Sequence, residues 1–136
     1  MGQQQLLLVV LSAIIVGISI VVGINMFQSG SVQANIDAVT QDVVTIASRS
    51  QEWWRKPAQL GGGGRSWTGI GTLDGDIFAS INFPDSTVNG TYVITDNGNG
   101  TVTIVGTGVE DGDGDGLLTV TTVIDSATIR TTDVVD

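Results

Sequence analysis

The residues best placed to do chemistry in this chain are acidic. Asp111, Asp113 and Asp115 stand at alternate positions in EDGDGDG (110–116), with Gly116 next. Carboxylates spaced this way around a turn converge on a hard cation, and D-x-D-x-D-G opens a calcium loop. The likeness stops there, because the twelfth position of such a loop is Thr122 rather than Glu, and the flanks read as strands. Two readings stand side by side: a calcium site held by Asp111, Asp113 and Asp115, and a solvated acidic hairpin turn without a ligand. Asn89 and Asn99 each open an N-x-[ST] acceptor, Asn89-Gly90-Thr91 and Asn99-Gly100-Thr101, so both are candidates for glycosylation. Asn-Gly is also the favoured turn dipeptide, and turn chemistry accounts for both without sugar. Gly61 to Gly64 with Arg65-Ser66 has the glycines of a phosphate loop but lacks its Lys-[ST] end and a preceding strand, so it reads as a linker.

What the chain lacks is equally informative. It has no Cys and no His. That removes thiol nucleophiles, disulfides, the commonest zinc ligands and the commonest general acid and base. No nucleophile–base pair can be assembled, so an enzyme is not expected, and calcium is the one cofactor the residues suggest. The net charge of −9 is unevenly placed. Up to Lys56, Asp37, Asp42 and Glu52 balance Arg49, Arg55 and Lys56; after Pro57 eleven acids face only Arg65 and Arg130. An acidic outer region repels phosphate backbones, so nucleic acid is not an expected partner.

Three zones must position these groups. Residues 1–56 read as one long helix, 57–66 as a Gly-rich hinge, and 67–136 as a small β domain, an α+β architecture. The block Leu6 to Ile24 holds nineteen residues without a charge, longer than any buried strand and long enough to cross a membrane as a helix. From Val32 the pattern becomes amphipathic to residue 56. Val32, Ile36, Val39, Val43, Ile46, Ser50 and Trp53 are spaced as a heptad seam with one polar interruption. Gly30, in Gln28 to Ser31, is the place where a kink is expected. Pro57 stops the helix, and Arg55 and Lys56 suit its dipole end. A rod of 54 residues would be roughly 80 Å long. Beyond the hinge, DIFASINF, GTYVITD, GTVTIVG, LLTVTTVID and ATIRTTDVV alternate as about five antiparallel strands, with the Asn97-Gly98 and Asn99-Gly100 turn between two of them. So thin a domain would gain from packing on the helix end, with Trp53, Trp54 and Trp67 at the junction.

The apolar block admits four readings. A cleaved secretory signal would fit Val32-Gln33-Ala34, but the block is long for an h-region and no Lys or Arg precedes it. A membrane anchor fits its length. A core helix of an ordinary globular monomer does not fit, since the rest of the chain is too small to wrap it. The fourth reading is a helix buried by copies of itself, with the apolar half in a many-helix core and the polar domain outside.

The short polar start MGQQQ, the block Leu6 to Ile24, the continuing amphipathic helix and a C-terminal β domain together resemble type IV pilins and related class III signal proteins, a superfamily that includes archaeal pilins and flagellins. The resemblance is architectural along the whole chain and sequence-specific only over its first thirty residues or so. It implies extraction from the membrane by an assembly machinery and helical polymerisation. It implies local melting of the helix near Gly17 and Gly23, and a leader-peptidase junction at Gly2-Gln3. Bacterial pilins carry a Glu near the start of the helix, whereas no acid precedes Asp37 here; if Met1 is the first residue, Gln5 stands nearest that place and would hydrogen-bond a neighbour's N-terminus.

The expected function is therefore a structural subunit of an extracellular pilus-like filament, a helical homopolymer held in the membrane before assembly. Leu6, Leu7, Leu8, Val9, Val10, Leu11, Ile14, Ile15, Val16, Ile18, Ile20, Val21, Val22 and Ile24 would form its core. Val32, Ile36, Val39, Val43, Ile46 and Trp53 would continue the lateral contacts between helices. The alternative is a single-pass, membrane-anchored surface module whose acidic loop binds calcium.

Overall fold

A computed structural model describes residues 2–70, 76–112, 114 and 116–135. Helix α1 spans Gly2–Arg55, a single-turn 3-10 helix spans Ala58–Leu60, and a short helix α2 spans Asp76–Ser80. Strands β1 (Gly90–Asp96), β2 (Val102–Gly108), β3 (Thr119–Ile124) and β4 (Ile129–Val135) form one antiparallel sheet in sequence order.

Helix α1 runs without a break through Gly17, Gly23 and Gly30. One glycine costs a helix roughly 1 kcal/mol relative to Ala, and the flanking turns of a long cooperative helix absorb that. Its hydroxyls do not compete with the helix, because Ser12 and Ser19 donate to the carbonyls of Leu8 and Ile15, four residues back, at 2.7 Å each.

The sheet lies along the second half of α1. Its inward residues alternate as the pleat requires: Tyr92 and Ile94 on β1, Val102 and Ile104 on β2, Val120, Thr122 and Ile124 on β3. They meet Val39, Val43, Ile46 and Ala47 of α1, all fully buried. Gly106 on β2 lets the helix come close: a Cβ there would stand 2.7 Å from Val43 and 2.8 Å from Val39.

Two local expectations are corrected. The segment 76–83 is not a fifth strand. Ile77, Phe78 and Ile81 turn into the core at helical spacing, and α2 ends in a left-handed Asn82 (φ 52). The glycine run is not a free hinge. The N–H groups of Gly63, Gly64 and Arg65 donate to the carbonyls of Trp53 (2.8 Å), Lys56 (3.0 Å) and Trp54 (2.8 Å), the orphan acceptors at the end of α1. A Cβ on Gly63 would stand 2.5 Å from the Trp53 ring, so glycine serves close packing there. The tryptophan junction does form: Trp53 and Trp67 belong to the core, and the Trp54 and Trp67 rings lie 6.1 Å apart.

Candidate assembly surface

The first half of α1 leaves the domain as a bare stem. Every described residue from Gly2 to Gly30 is exposed, and the large side chains between Leu6 and Ile24 keep 51–69% of their surface. The helix is long and apolar enough to cross a membrane. With Ser12 and Ser19 satisfied inside the helix, the segment 6–24 presents no side-chain donor that demands water. Such a surface suits a lipid tail or another apolar helix. Open space surrounds the Cα atoms of Gly17, Gly23 and Gly30, so another backbone could approach closely there. Gly2, Gln3 and Gln5 form the first turns of the stem and are exposed.

The heptad seam has a different role from the one expected. Val39, Val43 and Ile46 have no exposed surface, Val32 and Trp53 have 4% and 7%, and Ile36 is half-buried. Val39, Val43 and Ile46 pack into the core under the chain's own sheet and Trp53 under the glycine run, which removes these four as lateral contacts between subunits, while Ile36 keeps part of its surface. A seam records that one face of a helix is apolar, and any complementary apolar surface can cover it.

Beside the seam runs a row of polar residues that ties the helix to the sheet and its loops. Asn35, Asp42 and Arg49 are seven residues apart, so they share a helix face. Asn35 donates to the Asn89 carbonyl (2.9 Å) and its Oδ1 accepts from the N–H groups of Val109 (3.0 Å) and Glu110 (3.3 Å). Asp42 Oδ2 accepts from the Tyr92 hydroxyl at 2.6 Å and Asn89 Nδ2 at 2.8 Å, with Thr87 farther off at 3.4 Å. Arg49 donates to the carbonyls of Ile81 and Asn82 at the end of α2 and lies 5.7 Å from the Phe83 ring centroid. Burial pushes the Tyr92 hydroxyl up to about 12, and its bond to the Asp42 carboxylate adds to that. From the sequence Asp42 and Arg49 enter only as charges off the seam and Asn35 is not singled out; the seven-residue spacing of the three was the signal. Ser50, the polar member of the seam, is fully buried, and among the described residues its Oγ has no hydrogen-bond partner.

The remaining candidates are scattered. Asp111 accepts from the Gly114 N–H at 2.7 Å, a turn bond that occupies one of its oxygens. Asp113 and Asp115 lie outside the described residues, and the described residues hold no group of three acidic side chains that could bind a metal. Asn89 turns its amide inward to Asp42, which ties a candidate glycosylation site into the helix–sheet junction. Asn99 is exposed in the β1–β2 turn, where its Oδ1 accepts from the Thr101 N–H (3.2 Å) and hydroxyl (2.5 Å). All five cations of the chain, Arg49, Arg55, Lys56, Arg65 and Arg130, sit toward the end of the domain away from the stem. The acidic β2–β3 loop sits at the other end, with Gly112 beside Asn25 and Gln28 where the stem emerges.

No protein-family model, curated protein or solved structure matches this chain.

Proposed function

We propose that this chain is a structural subunit of an extracellular, pilus-like helical filament that polymerises through the apolar half of α1. The observation that carries the reading is the contrast within one unbroken helix: residues 2–30 are exposed on every side, while residues 32–53 bury a face in the domain. A domain that satisfies its own seam and offers an uncovered apolar stem needs a partner for the stem alone. Copies of the stem supply one, with Gly17, Gly23 and Gly30 admitting close helix approach and the acidic domains kept outside by charge. Fully burying one Leu, Ile or Val is worth roughly 1.5–3 kcal/mol against water. A bilayer already shelters the same side chains before assembly, so packing and an assembly machinery must supply the preference for the polymer.

The test is to shear cells, pellet the supernatant at high speed, and examine the pellet by electron microscopy and N-terminal mass spectrometry. Filaments built from this chain are the expected result, and the terminal mass reports whether cleavage follows Gly2. If the chain stays with the membrane fraction and no filaments form, the stem is a permanent anchor and the protein is a surface module.

A further inference from the structure

At the end of the domain away from the stem, a cleft of about 340 Å³ opens between the last turn of α1, the segment 65–68 and the β1–β2 turn. Trp54 forms one wall. Trp67 packs behind it with ring planes tilted by 32° and, at 5% exposure, is part of the core. Trp54 is half-buried, so it is the ring that shows surface to the cleft, and Trp67 fixes its tilt. Asp96 and Arg65 also line the cleft. Asp96 is held by its Oδ1, which accepts from the Gly98 N–H at 2.9 Å. Ser66 and Thr68 add hydroxyls already linked to each other at 2.9 Å. Arg65 adopts a left-handed backbone (φ 66), continuing a turn in which Gly61 (φ 77) and Gly64 (φ 58) are left-handed too, but without glycine's freedom to do so. A non-glycine residue there marks a side chain placed against local preference, a pattern concentrated at binding sites.

We propose that this cleft binds a pyranose ring of a polysaccharide or surface glycan. The chemistry selects the class. Arg65 and Asp96 cancel in charge, so a phosphate or carboxylate would meet Asp96 and a cation would meet Arg65. A polyol satisfies both, because its hydroxyls donate to the carboxylate and accept from the guanidinium, while the apolar C–H face of the ring covers Trp54. The proposal does not depend on the filament reading. Trp54 lies 24 residues beyond Gly30 on the same helix, about 36 Å away, so the cleft stays clear of whatever covers the stem.

The experiment uses the full chain in a zwitterionic detergent without a sugar headgroup. The three indole N–H resonances are followed by NMR during titration with the methyl glycosides and trisaccharides of glucose, galactose, mannose and N-acetylglucosamine. The Trp54 and Trp67 signals should shift saturably with at least one probe while Trp53, packed in the core, stays still. Trp54→Ala should weaken that binding about tenfold or more, the loss of one stacked ring. Asp96→Asn, which keeps the oxygen that accepts from Gly98, and Arg65→Asn, which tolerates the left-handed backbone, should each weaken it with an unchanged spectrum elsewhere. No saturable shift with any probe at about ten times a millimolar dissociation constant overturns the proposal. Equal movement of all three indoles overturns it too, as does binding that survives both polar variants.

Discussion

The two halves of α1 share one backbone and differ in almost everything else. Residues 2–30 are exposed on every side, and within them residues 6–24 are apolar around the whole circumference. Residues 31–55 carry an apolar seam and a polar row, and both are engaged by the sheet, its loops and α2. Side by side, they show that helix formation and helix burial are separate problems. The stem is helical because the cost of Gly17, Gly23 and Gly30 is spread over a long cooperative helix that no proline interrupts. The docked half is buried because its face matches a sheet that glycine opens at Gly106.

The largest expected effect tests that division directly. Val43→Asp places a charge in the core and should unfold the domain, a loss of more than about 3 kcal/mol in denaturant titration. Val16→Asp should leave domain stability within about 0.5 kcal/mol yet abolish sedimenting polymer. If Val16→Asp lowers domain stability as Val43→Asp does, the two halves are not independent. Next in size is the polar row. Asp42→Ala strands the Asn89 amide and leaves the Tyr92 hydroxyl with Thr87 at 3.2 Å in place of a carboxylate, and should cost about 2–3 kcal/mol by chemical denaturation. Gly106→Ala should cost about 1–3 kcal/mol through contact with Val39 and Val43, whereas Gly30→Ala in the stem, with open space around it, should leave the domain unchanged and firm the helix by at most about 1 kcal/mol. Ser50→Ala should raise stability by about 1 kcal/mol, since it removes a buried hydroxyl without a partner among the described residues.

The last effect, absent at neutral pH, is a pH dependence. The folded Tyr92 hydroxyl titrates near 12 against an ordinary value of 10, so its contribution is complete below pH 10 and is lost as the pH rises toward 12. Tyr92→Phe should flatten that alkaline limb of a stability–pH curve. A limb that persists in the variant would place its origin in another group.

Much of the architecture was legible in advance. The length of the apolar block, the heptad spacing, Pro57 and the alternation of β-branched residues led to a long helix followed by an antiparallel sheet, and four of the five expected strands form. DIFASINF misled because Ile77, Ala79 and Ile81 alternate like a strand, while Phe78 completes the helical set with Ile77 and Ile81. The glycine run read as a linker because composition does not reveal that its N–H groups meet the carbonyls closing α1. The cleft was not legible, because Asp96 lies about thirty residues beyond Arg65 and only the fold brings it beside Trp54.

By itself, the sequence determined where the chain is apolar, with what period, and where its charges lie; these are properties of covalent order and of the 3.6- and 2-residue repeats. The tertiary structure alone decided what covers each apolar face. The seam Val32 to Trp53 could have met a neighbouring helix as well as a sheet, since hydrophobic burial is not directional. It meets its own sheet because Gly106 admits the helix and Asn35, Asp42 and Arg49 pin the strands and loops beside it. Such hydrogen bonds are directional and join residues far apart in the chain, so no local pattern contains them.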